Sequence, residues 1–310
     1  MRFKKLDLNL LIALDMLLVE KSVSRAAEKL FISQSAMSNS LLRLREYFDD
    51  PLLTQIGRKM ELTPRAKALA DPVRDVLIRI ESTIDIQAEF DPSSSDREFK
   101  LLVSDYTLFV LMPFVMQLAR EQSATVKFKL VPQVDPPQQM LERGKADIMV
   151  IPEEFCSPHH PNESLYSETF VCLASKNSKT WGKVISESDY LHAKHVLVQT
   201  LGAELPVFDS WFLRSFGIMR DAAVSTYSFA SVPGLVANTE YIATVHARLA
   251  ASLMHQAEVK IVQPPVTFPI MTQTVQWHSL HSGDPGIFWL RQLLHKAVTL
   301  MDQNLQNPNS

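Results

Sequence analysis

Between Ser33 and Arg45 the chain reads SQSAMSNSLLRLR. Ser33, Gln34, Ser35, Ser38, Asn39, Arg43 and Arg45 are short polar or basic side chains, and their chemistry is hydrogen bonding rather than bond making. Gln and Asn set a donor beside an acceptor and so pair with adenine. Ser bonds several base edges, and Arg takes guanine or a phosphate. Met37, Leu41, Leu44 and Phe48 recur at i, i+4, i+7 and i+11, which predicts a helix with one buried face and the polar set opposite. Leu42 is the exception on that polar face. It either meets a thymine methyl or packs on a neighbouring element.

Such side chains read base edges only if the surrounding elements deliver the helix to a major groove. Leu8, Leu11, Ile12, Leu14 and Leu18 predict a first helix, with Asp15 out of register. Ser22 or Ser24 caps a short second helix whose Ala26, Ala27 and Leu30 allow close packing, and Ser33 is placed to cap the third. Leu53, Gln55 and Ile56, a turn at Gly57-Arg58, and a return through Met60 and Leu62 predict a β-wing. Arg58 at its tip would reach a minor groove or a phosphate. Helical pairs of this kind also occur in ordinary enzymes, so the wing and the basic flank carry the nucleic-acid reading.

Thr63 and Pro64 start a helix running to about residue 88. Its Ala66, Leu69, Val73, Val76 and Ile80 suit a two-helix seam between copies, or packing on its own domain. Pro72 inside it predicts a kink, or a restart capped by Asp71. Asp91-Pro-Ser-Ser-Ser-Asp is a polar connector.

The 310 residues suit two or three compact units, and 46% apolar with 21% charged residues is ordinary for a globular chain. Net charge is −3, unevenly spread. Residues 1–65 hold 11 Lys and Arg against 8 Asp and Glu, net +3, so the remainder carries −6. A basic head on an acidic body fits a small nucleic-acid unit attached to a domain that avoids nucleic acid. The N-terminal run is basic and then apolar, but Asp7, Asp15 and Glu20 interrupt it and no small-residue cleavage site follows, so an amphipathic helix is expected rather than a signal peptide. No apolar stretch approaches the roughly 18 residues of a membrane span. Cys156 and Cys172 are too few for a disulfide framework, and a cytoplasmic location is expected.

Catalytic and metal motifs are weak. His192 and His195, and the pair His159-His160 with Glu163, make no recognised zinc pattern. GxGxxG, a phosphate loop and GxSxG are absent. No cofactor, no metal and no catalytic residue is expected, and the chain is not read as an enzyme.

From Arg97 onward strand and helix alternate. Strands are expected at 99–103, 125–131, 148–151, 169–174, 195–198, near 223 and at 242–245. Helices are expected at 108–120, 137–143, 207–216, from 231 and at 285–303. This alternation predicts an α/β body with a parallel sheet and helices on both faces. Ligands in such folds lie beyond the carboxyl ends of the strands. The loops there are Ser104-Asp105-Tyr106-Thr107, Gln199-Thr200-Leu201-Gly202 and Ser228-Phe229-Ala230-Ser231. Tyr106 and Phe229 suit stacking on an aromatic ring, while Ser104, Asp105, Gln199, Thr200 and Ser231 supply polar contacts. The bland alternative is that these residues only cap helices. Trp277 and His278 either approach the cleft or form a buried, satisfied pair.

LDLNLLIALDMLL, AAEKLFISQSAMSNSLLRLREYF and LTPRAKALADPVRDVL make the chain resemble the LysR-type transcriptional regulators from end to end. SQSAMS, RLREYFDD, VSDYTLF, LERGKADIMVIPEEF and VQWHSLHSGDPGIFWLR are similar to the nodulation regulators and other members responsive to aromatic inducers. Ser35 departs from the Pro that the family most often carries after this Gln.

The resemblance implies a winged helix-turn-helix over residues 1–63, a linker and dimerisation helix with connector over 64–92, and a two-lobed effector domain over 93–310, like periplasmic binding proteins. Lobe I would take about 93–165 and 270–303, and lobe II about 166–269. It also implies double-stranded promoter DNA, a small effector, a homodimer or homotetramer, and contact with RNA polymerase, with activation as the usual outcome and no membrane partner. The competing readings are a solute-binding protein or an enzyme whose N-terminal helices are structural.

Overall fold

The computed structural model describes residues 7–57, 59–84, 89–134, 136–182, 184–199, 202–204, 209–253 and 258–306. One compact unit takes the described chain up to residue 84 with 142–144, and a second takes the rest.

The first unit begins with α1 (Leu8–Glu20), α2 (Val23–Lys29) and α3 (Gln34–Phe48), followed by β1 (Leu53–Ile56), β2 (Lys59–Leu62) and α4 (Pro64–Ile84). Its core gathers Leu11, Leu14 and Leu18 of α1, Ala26 and Ala27 of α2, and Met37, Leu41 and Leu44 of α3. Two residues of the expected α1 stripe, Leu8 and Ile12, are exposed; Leu10 and Leu17 take their places inside. Asp15, out of register in the sequence, is buried and paired with Arg74 of α4.

α4 runs through Pro72 as one element, without a restart. Pro72 forgoes one backbone bond, and the flanking turns hold the helix together. Ala66 and Val73, with Leu69, pack into the head's own core, while Val76 stays exposed. The first half of the supposed intermolecular seam is therefore used within the domain.

The second unit carries β3 (Glu98–Val103), α5 (Asp105–Val110), α6 (Met112–Glu121), β4 (Lys127–Pro132), α7 (Gln138–Glu142), β5 (Ile148–Pro152), β6 (Asn162–Glu168) and β7 (Phe170–Ser175). There follow α8 (Glu187–His192), β8 (Lys194–Val198), α9 (Asp209–Phe216), β9 (Asp221–Thr226), α10 (Val232–Val236), β10 (Ile242–His246), α11 (Ala247–Leu253), β11 (Val259–Val262), β12 (Met271–Trp277) and α12 (Pro285–Gln306). The helix expected over 108–120 is two helices, because Pro113 cannot donate to the preceding turn. The polar strand β6 and the short β11 had no clear period in the sequence.

Two five-stranded sheets result, ordered β4-β3-β5-β12-β6 and β11-β7-β10-β8-β9. They are mixed, not parallel. β12 runs antiparallel to both β5 and β6, and β7 runs antiparallel to β10 and β11. The reason is topological: the chain leaves the first lobe through β6 and returns through β12, so the two passages must run in opposite directions. One continuous apolar cluster includes Phe99, Leu101 and Val103 of the first lobe and Val196, Val245 and Leu249 of the second.

Candidate nucleic-acid interface and ligand site

α2 and α3 approach closely because Ala26 and Ala27 are buried without bulk between them. Ser22 caps α2 by accepting the Arg25 amide. The turn passes through Phe31 at φ 55°, a left-handed conformation that redirects the chain. Ser33 then caps α3, accepting the Ala36 amide at 3.1 Å. Met37, Leu41 and Leu44 pin the inner face.

Ser33, Gln34, Ser35, Ser38, Asn39 and Arg43 are all exposed. Positions 35, 39 and 43, like 34 and 38, are one turn apart and form adjacent rows. Ser35 shares a 2.9 Å hydroxyl contact with the capping Ser33. Leu42 is 55% exposed, so it faces outward with the polar set.

Arg45 sits differently. Its guanidinium donates to the Pro51 carbonyl at 2.8 Å and the Leu53 carbonyl at 3.1 Å, bracing α3 against the entry to the wing. β1 and β2 pair from Leu53↔Leu62 to Ile56↔Lys59, leaving Gly57 at φ 63° in the tight turn. Arg58 lies outside the described residues. Sequence reasoning missed Phe31, which is 95% exposed beside the cap of α3. Its signal was an aromatic residue at a turn with no helical partner.

In the second unit, Ser104 caps α5 by accepting the Thr107 amide. Asp105 Oδ2 accepts the Ala230 amide at 3.1 Å, joining the start of α5 to the loop before α10 in the other lobe. Tyr106 is buried, its hydroxyl donating to Glu168 at the end of β6. Its ring stacks on His246 at the end of β10, centroids 3.8 Å apart. Phe229 meets the same imidazole edge-on at 4.6 Å.

The loops expected at the ligand site thus divide. Ser104, Asp105, Tyr106 and Phe229 converge between the lobes. Gln199 donates within its own loop to the Ala203 carbonyl, and Ser231 donates to Ser228. Thr200 lies outside the described residues.

Glu168, His246, Arg248 and Gln273 were not legible as site residues. Glu168 ends β6 and Gln273 lies near the start of β12, where the chain crosses between lobes, while His246 ends β10 and Arg248 lies in the first turn of α11; only the topology brings them together. Burial pushes the Glu168 carboxyl above its usual range, although the Tyr106 hydroxyl and Arg248 draw it down. Arg248 lies 3.7 Å from Glu168 and 2.9 Å from Asp302. Burial holds His246 neutral, with its pKa down to about 3. The Nδ1 of His246 and the Oε1 of Gln273 are buried without a hydrogen-bond partner among the described residues. Gln273 Nε2 donates to Thr107.

The other candidates are absorbed by structure. Trp277 is buried beneath the Arg291 guanidinium, and His278 accepts the Leu280 amide. His195 is buried on the Tyr190 carbonyl, whereas His192 is exposed. Among the described residues no group of three or more His, Cys, Asp or Glu is placed to hold a metal ion. Burial raises the Cys156 thiol to about 11 and the Cys172 thiol to about 12, away from thiolate chemistry. No described helix is long and apolar enough to cross a membrane.

Residues 8–67 match the family described as "Bacterial regulatory helix-turn-helix protein, lysR family", and residues 93–299 match the "LysR substrate binding domain". The chain is 37% identical over 308 residues to Nodulation protein D of Bradyrhizobium sp. strain ANU 289, covering 99% of this chain and 91% of that one. It is 40% identical over 304 residues to Nodulation protein D 1 of Sinorhizobium fredii strain NGR234, covering 97% and 94%. Among solved structures, the probable transcriptional regulator PA0477 of Pseudomonas aeruginosa superposes with a TM-score of 0.65 at 26% identity, covering 94% of this chain and 97% of that one.

Proposed function

The chain belongs to the LysR family of DNA-binding transcriptional regulators with an effector-binding domain, and from that premise we propose that it is a cytoplasmic activator reading promoter DNA through α3 and answering to a small aromatic effector held between its lobes. Ser33, Gln34, Ser35, Ser38, Asn39 and Arg43 face the duplex, Arg58 adds a phosphate or minor-groove contact, and Arg45 braces the wing. Ser104, Asp105, Tyr106 and Phe229 form the effector site, and Gln199, Thr200 and Ser231 add polar contacts to it. The head spans residues 1–63, the linker 64–92 and the effector body 93–310. Two or four copies assemble, so that paired heads meet paired half-sites about 34–36 Å apart, and the assembly contacts RNA polymerase.

The observation that carries this reading is the outward double row on α3: five exposed hydrogen-bonding side chains on a helix whose opposite face is anchored by Met37, Leu41 and Leu44. That is a surface built to meet base edges and phosphates. The effector acts by binding one lobe arrangement better than the other. Its leverage on the heads equals that difference in affinity.

The test is a genomic pull-down with the purified protein at two salt concentrations. Recovery of a few promoter fragments bearing an interrupted inverted repeat supports the reading. Only salt-sensitive, sequence-blind capture overturns it, because phosphate contacts alone behave that way.

A further inference from the structure

The first turn of α5 places a phenol where a ligand of the interlobe cleft would lie. Tyr106 enters from the first lobe with its ring flat on His246, 3.8 Å between centroids and 17° between planes. Phe229, from the second lobe, closes the other approach to that imidazole at 4.6 Å, and Phe170 stands 5.1 Å away. The Tyr106 hydroxyl donates to Glu168, itself buried and held near Arg248. One residue earlier, Asp105 accepts the Ala230 amide from the second lobe. Rings, acceptor carboxylate and interlobe hydrogen bond all come from the protein itself.

We propose that Tyr106 is a built-in occupant of the effector site, a plug that clasps the two lobes in the unliganded arrangement and that an effector must displace. The inference rests on the effector site lying between the lobes, as set out under the proposed function. The phenol's hydroxyl satisfies a buried carboxyl group that would be expensive to leave unpaired, and its ring covers the face of the imidazole. Because those groups come from both lobes or from the crossover strands, the same contacts resist lobe movement. Any aromatic entering the cage must take over both the stack on His246 and the bond to Glu168, so expelling Tyr106 couples binding to the change of arrangement.

The experiment uses the full-length chain, with 4-methylphenol (the tyrosine side chain as a free molecule) and toluene as probes. Calorimetry measures affinity, and hydrogen exchange over Ser228–Ser231 reports the clasp through the Ala230 amide. In Tyr106→Ala, exchange in this segment should rise at least tenfold, and 4-methylphenol should bind at least tenfold more tightly than it binds the native chain. It should restore protection, and toluene should bind at least tenfold more weakly than 4-methylphenol because it offers Glu168 nothing. Tyr106→Phe keeps the ring and is expected to fold as the native chain does. It should give intermediate exchange and intermediate affinity, which keeps the test decisive if the Ala variant is unfolded. Native-like exchange in both variants, equal affinity in variant and native chain, or equal binding of the two probes would overturn the proposal. An effector response that survives with unchanged exchange would remove the plug but leave the interlobe site standing. An effector that protects a region away from residues 104–107 and 228–231 would remove the site itself.

Discussion

The Thr63 hydroxyl donates to Asp50 Oδ1 across 2.6 Å and accepts the Ala66 amide at 3.0 Å. One side chain therefore caps α4 and ties its start to the turn that follows α3. The bond from Thr63 holds the Asp50 carboxyl below its usual range, outweighing burial, which pushes it up. Thr63→Ala removes the cap and should destabilise the head by about 1 kcal/mol. Thr63→Ser, which keeps the oxygen, should restore most of it. Urea midpoints of the two variants decide: equal losses would assign the effect to the methyl group instead.

Ser38 and Asn39 lie on the outward face of α3, away from its core residues. Replacing either by Ala should leave folding intact and weaken binding to the cognate operator by about 1–3 kcal/mol for each base that the side chain reads. Specificity should relax at the position touched. Competition titrations against single-base operator variants measure this, and an unchanged preference profile would take the residue out of the readout.

Two neighbouring arginines should separate. Arg43 is exposed, so Arg43→Ala should lower affinity for all sequences alike and reduce the salt slope by roughly 1 if it meets a phosphate. Arg45 braces the carbonyls of Pro51 and Leu53. Arg45→Ala should lower the melting temperature of the head, with weaker operator binding as a consequence of a misplaced wing. Melting curves recorded beside salt titrations distinguish the two. Identical behaviour in both assays would mean that the bracing role is wrong.

Acid should weaken the body through its buried histidines. Burial brings His246 down to about 3, and burial, then Arg220, brings His195 down to about 4, against about 6.5 in an unfolded chain. As pH falls below about 6.5 the unfolded chain takes up protons that the folded body refuses. Stability is complete above that pH and is lost toward the folded values. Each histidine contributes up to about 1.4 kcal/mol per pH unit in this window. Denaturant melts between pH 6.5 and 5 should show the slope, and His195→Gln should remove one histidine's share. A slope unaltered by that substitution would place the acid sensitivity elsewhere.

Local patterns made the head legible. Met37, Leu41 and Leu44 repeat at helical spacing, Ser33 is a capping residue in the capping place, and a Gly sits in the tight turn of the wing. Each of these is decided within a few residues of chain, because helix period, caps and turns are short-range physics. The α/β character of the body and most of its strands were readable for the same reason.

Burial and partnership were not. Nothing local distinguishes Arg43 from Arg45, since the Pro51 and Leu53 carbonyls that engage the second become its neighbours only when the wing folds back. The stripe on α4 reads equally well as an intermolecular seam, and contact with α1 settles the use of Ala66 and Val73. The direction of β12 follows from where the chain had crossed between lobes, which no alternation of strand and helix encodes. The cage around Tyr106 shows this most plainly. Glu168 and His246 stand 78 residues apart in the chain and 62 and 140 residues from Tyr106. Sequence alone determined the type of most elements and the apolar face of α3, because those depend on neighbours along the chain. Only the tertiary structure decided which polar groups meet, because burying a carboxylate or an imidazole is tolerable only where distant strands bring a partner within reach.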